Sequence, residues 1–303
     1  MHNLSRLTRR LNHYQQQNRL LGFCYAVIKK YGEDNAGYQA ALLTYYGFLA
    51  LFPLLLVLTT LTDTALGRYP HVEATVLRGI TDYFPLLGNQ LAAHIHSLKR
   101  SGFALFVGIL FTIYGARGVA SAFSHGVQHI WQIPKHEQNG FPKSLFKNLT
   151  LLIVGGLGFL LASISAGLAA AAGHGFLFRS LSIAINLIIL FWLFTFLINF
   201  SLPRHVALAE TRVGAACAAV GLVILQLLGG YILAHELKSL DALYSYFAIS
   251  LGLLFWIYLQ SKMLFYAVEI AIVNSQRLWP RSLEASLPTA VDRQINHKRE
   301  SFN

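Results

Sequence analysis

Six long apolar stretches, separated by shorter polar segments, dominate the pattern of the sequence. We place them at Gly37–Thr62, Gly102–Phe123, Leu149–Ala172, Leu181–Leu202, Val213–Ala234 and Leu243–Val273. A membrane helix needs roughly 20 mostly apolar residues to cross about 30 Å of hydrocarbon, and each stretch is long enough. Helices of soluble proteins normally carry a polar face, which these stretches lack. The pattern therefore predicts an all-α, polytopic membrane protein whose six transmembrane helices occupy residues 37–273.

Three further segments have a different pattern. Residues 1–36 form a basic arm in which apolar residues recur at helical spacing between arginines. This predicts an interfacial amphipathic helix or, equally, a solvated helix that caps the domain. Residues 63–101 also show helical spacing, broken at Pro85, and predict an external amphipathic segment. Residues 274–303 form a polar tail, which we expect to be loosely ordered past Pro280.

The placement of charge predicts the orientation of these helices. Only 12% of the 303 residues are charged, compared with about 25% in soluble domains. Sixteen lysines and arginines fall on the side of both termini and six on the other. The positive-inside rule therefore places both termini in the cytoplasm. The basic segments would contact anionic membrane lipids, which accounts for the net charge of +11 without a nucleic-acid partner.

Three charged residues lie inside the apolar stretches and are candidates for a substrate or ion path. Arg117 lies in the second stretch, and Lys262 and Glu269 lie in the last. Charges at this depth are rare and often functional. We place Arg117 and Glu269 at similar depth and hypothesise that they pair, directly or through water. Lys262 precedes Glu269 by seven residues and shares its helical face. The alternative is an ion pair that only holds two helices together.

Five residues are candidates for a hinge or gate. Pro53 lies in the middle of the first stretch, where it removes a backbone hydrogen bond and predicts a kink or break. Asp34 and Asn35 precede that stretch, and either cap the helix or act as a gate. Gly115 and Gly118 flank Arg117 and would let a neighbouring helix approach closely.

The sequence offers little for catalysis. His125 and His129 have the i, i+4 spacing of a chelating pair, but no carboxylate or cysteine cluster accompanies them. The chain contains no Walker loop, dinucleotide glycine motif or GxSxG motif. We therefore expect no enzyme activity, no metal site and no cofactor.

Four segments resemble the YihY/BrkB family of bacterial inner-membrane proteins. They are EDNAGYQAALLTYYGFLALFPLLL, YGARGVASAFSHGVQHIW, LPRHVALAETRVGAACAAV and FWIYLQSKMLFYAVEIAI. The resemblance covers roughly residues 32–274 and implies six spans and a location in the bacterial inner membrane. For function, it implies a lipid or solute exporter or a virulence-associated factor. Members of the family have also been described as ribonucleases. In the family, a glycine-alanine pair often precedes this glutamate. Here Ala267 and Val268 precede Glu269, so we expect the close packing of this helix against its neighbour to be altered.

Three functions are weighed against each other. The first is a transporter or translocator of an anionic or amphiphilic, lipid-like solute, which the kinked first span, the intramembrane charges and the basic rim favour. The second is a structural or scaffolding membrane protein in which those charges fix the packing. The third, a membrane-bound ribonuclease or other hydrolase, lacks a metal constellation. The sequence leaves the substrate and the energy source open, and a homo-oligomer is equally open.

Overall fold

The computed structural model describes residues 12–61, 102–138, 140, 142–171, 176–203, 206–236, 242–283 and 288–300. Within these ranges the regular structure is helical. The helices are α1 (Arg19–Glu33), α2 (Ala36–Leu61), α3 (Gly102–Ile130), α4 (Lys143–Ala171), α5 (Phe176–Ser201), α6 (Leu208–Glu236), α7 (Ala242–Ser275) and α8 (Ala290–Glu300). The predicted all-α class is thus confirmed. The predicted external segment 63–101 lies outside the described residues.

The six long helices α2 to α7 form a closed ring. Each packs against the next one along the chain, and α7 returns to pack against α2. Helix α3 also contacts α5 and α7 across the ring. Short connections join α1 to α2, α3 to α4, α5 to α6 and α7 to the C-terminal segment. These junctions lie at one end of the ring, hereafter the α1 end, where α1 packs against α2 and α7.

Four helices of the described chain are long and apolar enough to cross a membrane. The apolar segments are Lys143–Ser165, Ser180–Ser201, Leu208–Gly229 and Ser250–Ser275. They coincide with the last four predicted spans. The first two predicted spans also form helices, α2 and α3, and the count of six crossings remains a prediction. Large apolar side chains on the outer faces, such as Leu161, Trp192 and Leu227, are exposed, as expected of surfaces in contact with lipid.

Glycines bring the helices of the ring into close contact. A methyl group on Gly115 of α3 would lie 2.7 Å from Cβ of Ala50 in α2. A methyl group on Gly118 would overlap the ring of Tyr46 in α2. The two glycines therefore let α2 and α3 pack backbone to backbone. They do not cover the guanidinium of Arg117, which is exposed.

Candidate functional site

A buried lysine joins α1 to the α1 end of the ring. Lys30 is only 3% exposed, and its partners Asp34 and Glu269 are 5% and 0% exposed. The Lys30 ammonium pairs with the carboxylate of Asp34, one turn further along α1. Its Nζ atom also lies 3.2 Å from Oε2 of Glu269 in α7 and donates to the backbone oxygen of Ile130 in α3 at 3.0 Å. One cation therefore links α1, α3 and α7 through hydrogen bonds to Asp34 and Ile130 and an ion pair with Glu269.

Two adjacent rows of charged residues explain how α1 takes this position. Residues four apart lie on the same side of a helix, so Lys30 and Asp34 form one row and Lys29 and Glu33 form the next. The first row faces the ring, because its partners are in α3 and α7. Asp34 ends α1, and Asn35 adopts a left-handed φ of 51° before α2 begins. Asparagine tolerates that conformation better than most residues, so the chain can reverse here.

Aromatic rings surround the cluster on the side of α7. The rings of Tyr31 and Tyr266 stack, with centroids 3.9 Å apart and planes 9° apart. Tyr31 is buried, and within the described chain its hydroxyl has no hydrogen-bond partner. Burial, together with the nearby Tyr258, Tyr266 and Glu269, raises the pKa of Tyr31 well above its usual range. These surroundings therefore disfavour the ionised form of the Tyr31 phenol.

The outer row of α1 is bound by the C-terminal segment. Arg281, 1% exposed, donates from both terminal nitrogens to the Glu33 carboxylate at 2.8 and 3.0 Å. Its Nε donates to Oδ1 of Asp292 at 2.9 Å. Lys29 donates to the same Asp292 oxygen at 3.0 Å and to the backbone oxygen of Ser282 at 2.8 Å. We call residues 278–283 together with α8 the strap, because they hold α1 from outside.

The predicted loose order past Pro280 is therefore wrong for the described part of the strap. Thr289 and Asp292 form a capping box at the start of α8: each side chain accepts a hydrogen bond from the other's backbone N–H. Burial alone would raise the pKa of Asp292. The hydrogen bonds from Ser282, Thr289 and Lys29 outweigh burial and hold this pKa well below its usual range. The polar groups of the strap pair with one another and with Lys29 and Glu33 of α1, and this pairing was not foreseen.

The predicted pairing of Arg117 with Glu269 is wrong. Gly126 of α3 packs directly on the ring of Phe265 in α7, which fixes the relative height of the two helices. Glu269 lies one turn beyond Phe265 toward the α1 end, whereas Arg117 lies more than two turns before Gly126. At about 1.5 Å per residue the two levels are ~20 Å apart along the ring. Glu269 meets Lys30 instead, and Arg117 is exposed on α3.

The other predicted residues are placed separately. Lys262 is half-buried, with its Nζ 5.9 Å from the centroid of the Tyr258 ring. Helix α2 runs unbroken through Pro53, so two half-helices do not form there. The Asp34 carboxylate pairs with Lys30, and Asp34 is the C-terminal cap residue of α1. Whether these residues line a transport path stays a prediction.

The histidine pair is divided between two environments. Nε2 of His129 lies 3.0 Å from the backbone oxygen of Asp34. His125 is exposed and lines a separate polar pocket between α3 and α4. Within the described residues no group of three or more His, Cys, Asp or Glu side chains is arranged to hold a metal ion.

Lys30, Arg281 and Asp292 are the residues that sequence reasoning missed. The sequence KKYGED at residues 29–34 contains two overlapping cation–anion pairs at i, i+4 spacing, and this was the available signal. Arg281 carries no comparable signal, because its partners Glu33 and Asp292 lie 248 and 11 residues away in the chain.

The buried cluster and residues 278–283 of the strap lie within the segment that matches a known family. Residues 27–289 match the virulence factor BrkB family. The chain belongs to that family. The match begins three residues before Lys30 and ends at Thr289, so it spans the ring, the charged rows of α1 and residues 278–283 of the strap, and α8 follows it. Its apolar helices make this BrkB family member a membrane protein with transmembrane helices. Neither the curated proteins nor the solved structures yield a match to the chain.

Proposed function

We propose that this BrkB family protein translocates an anionic or amphiphilic, lipid-like solute through its ring of helices, and that α1 is the gate. The observation that carries the proposal is the burial of Lys30 between the carboxylates of Asp34 and Glu269 at one end of the ring. The proposal places the protein in the bacterial inner membrane with both termini in the cytoplasm. It includes no catalytic step and no cofactor.

The cost of burying these charges supports a functional role. Taking an ionised group out of water costs several kcal/mol, which is only partly recovered by pairing. Ionisable residues within membrane segments are rare and usually mark substrate or ion pathways. Helix α1 is not part of the ring but lies on its end, and Lys30 is a buried charged contact between α1 and the ring helices α3 and α7. Withdrawing α1 would separate Lys30 from Glu269 and from Ile130 in one movement. For movement within the ring itself, we propose Pro53 of α2 as the hinge.

Two features support the proposed class of solute. Arg117 is exposed on α3 beside the exposed apolar side chains of Ile113 and Tyr114. A cation on an apolar face near the middle of a long helix attracts an anionic headgroup whose acyl chains contact the same face. Lys262 adds a second, half-buried cation on α7. Membrane lipids are therefore the proposed partners.

The proposal can be tested with purified full-length protein in vesicles of phosphatidylethanolamine and phosphatidylglycerol. Fluorescent phosphatidylglycerol is followed from one leaflet to the other by quenching with a membrane-impermeant reductant. We expect Lys30→Met and Glu269→Gln to raise the rate by loosening closure, and Arg117→Gln to lower it. Lys143→Gln, an exposed charge at the start of α4, is the matched control and should leave the rate unchanged. The proposal fails if wild type and Lys30→Met both move the lipid no faster than protein-free vesicles.

A scaffolding role is the second candidate, and the strap favours it. The side chains of a partly buried ion-pair network anchor α1 from outside, as expected of a permanent joint; its members are Arg281, Glu33, Lys29 and Asp292. In a scaffold, variants of Lys30 and Glu269 would lower the thermal unfolding midpoint without changing any lipid flux. A stable partner protein that co-purifies in fixed ratio with the wild type would also support this role.

A further inference from the structure

A small polar pocket lies between α3 and the first turns of α4, apart from the Lys30 cluster. Ser124, His125 and Gln128 of α3 line one side, and Ser144, Lys147 and Asn148 of α4 line the other. Its cavity volume is about 20 Å³, which is room for roughly one water-sized group. The pocket could therefore hold one oxygen atom of a larger group that remains partly outside.

The lining of the pocket favours a negative group. It contains the ammonium of Lys147 and the side-chain donors of the serines and Asn148, and none of its lining residues carries a carboxylate. The Gln128 amide nitrogen donates to Ser124 and Ser201 and so positions the wall. Lys147 donates to the backbone oxygen of Ser201 at 2.9 Å, and Gln128 donates to the same oxygen at 2.8 Å. These bonds hold both donors in place at the pocket wall. The ammonium retains further protons that can be donated to a ligand.

Asn148 is the independent sign that something binds here. It is only 7% exposed and lines the pocket, yet its side chain makes no hydrogen bond within the described part of the chain. An amide side chain can donate two hydrogen bonds and accept two, and buried polar groups are normally bonded. The pocket also lies at the start of the 29-residue helix α4, where the helix dipole favours an anion.

We propose that this pocket binds one oxygen of a phosphate or similar oxyanion, with Lys147 and Asn148 as the main donors. The phosphate could belong to a lipid headgroup or to free phosphate, because the pocket recognises the oxygen and its charge. Ser144 and Gln128 complete the lining from the two helices. The site does not depend on lipid translocation, and its test measures binding rather than transport.

The experiment uses full-length protein in an uncharged detergent. Inorganic phosphate and short-chain phosphatidic acid are titrated separately and followed by calorimetry. Lys147→Gln and Asn148→Leu should each weaken binding about tenfold, the usual effect of losing one hydrogen bond to a charged group. Lys143→Gln is the matched control, because it removes a charge one turn earlier in the same helix, from a residue that does not line the pocket. It should change the affinity by less than about twofold, as expected for a screened surface charge.

Lys147→Gln loses the hydrogen bond to Ser201 and can therefore destabilise the protein. In that case Asn148→Leu is the variant that decides the test. Its unfolding midpoint should match that of the wild type, since Asn148 makes no hydrogen bond that the substitution would break. If both probes bind and the pocket variants weaken both, the site accepts any phosphate. If only phosphatidic acid binds in this way, the phosphate that the site recognises belongs to a lipid headgroup. Absence of saturable binding, unchanged binding in Asn148→Leu, or equal weakening by Lys143→Gln and Lys147→Gln overturns the proposal.

Discussion

The Nζ atom of Lys30 lies 3.2 Å from Oε2 of Glu269, and this contact joins a helix outside the ring to the last long helix within it. Both side chains are almost fully buried. Asp34 shares the same ammonium, so the lysine lies between two carboxylates. Lys30 therefore balances the charge of two carboxylates in this buried cluster.

Replacing Lys30 should be strongly destabilising. Lys30→Met leaves the carboxylates of Asp34 and Glu269 buried without their shared cation, and breaking a buried pair costs roughly 3–5 kcal/mol. The double variant Lys30→Met/Glu269→Gln removes one of the two carboxylate charges. We expect it to be about 0.5–3 kcal/mol more stable than the sum of the single effects predicts. Unfolding midpoints in detergent measure this, and strictly additive effects would show that the two residues do not interact.

The strap should detach when Arg281 is replaced. Arg281→Ala removes the two-pronged contact with Glu33 and the bond to Asp292, and Arg281→Lys cannot restore the planar fork. Amide exchange in residues 278–283 and α8 should accelerate on the order of 100-fold in the alanine variant, while the ring helices stay protected. Arg293→Ala is the control, because Arg293 is exposed on α8. Equal acceleration in both variants would mean that Arg281 does not hold the strap.

The strap should loosen only in strong acid. The folded protein holds the pKa of Asp292 below its usual range, so its carboxylate stabilises the fold fully above the unfolded pKa of about 3.9. That contribution is lost as the pH falls from there through the folded pKa. Between pH 5 and 8 the exchange protection of α8 should stay constant in this respect. In the wild type, α8 should lose exchange protection below about pH 4 as Asp292 becomes protonated. In Asp292→Asn this acid-dependent loss should be absent. If the variant shows the same loss as the wild type, Asp292 is not responsible for it.

Helix contact at Gly115 should not tolerate a methyl group. In Gly115→Ala the new Cβ would meet the backbone and Cβ of Ala50, which cannot move aside as a flexible side chain could. We expect a loss of about 1–3 kcal/mol, typical of overpacking. Gly156→Ala is the matched control, because nothing lies within 4 Å of its added Cβ. Thermal unfolding of the two variants compares them, and equal midpoints would show that the α2–α3 contact can adjust.

The helices were predictable because each is long and apolar by itself. The stretches that contain Leu190 or Leu222 are each apolar over about 20 residues, the length needed to span a membrane. The hydrogen bonds that form a helix are local in sequence. The ends were less accurate: α3 runs on to Ile130, past the predicted end at Phe123, because polar residues such as Ser124 and Gln128 continue the helix at the edge of the apolar zone.

The candidate site was only partly predictable. Glu269 was singled out correctly as an unusual charge in an apolar stretch, but its partner was misassigned. Counting residues along two helices gives the relative depth of Arg117 and Glu269 only if the relative height of the helices is known. The packing of Gly126 on Phe265 sets that height, and the sequence does not contain it. Lys30 lay in a segment assigned to the membrane surface, where a lysine needs no protein partner.

The sequence by itself determined the all-α class, the positions of the long helices and the family, because these follow from apolar runs and local motifs. Only the tertiary structure decided that Lys30 inserts between Asp34 and Glu269, that Arg117 stays exposed, and that Arg281 holds the strap on α1. The physical reason is that a charge in an apolar setting is stabilised by whichever opposite charge the fold brings within about 4 Å. That distance depends on how whole helices pack and on where the chain ends return, which no local pattern contains.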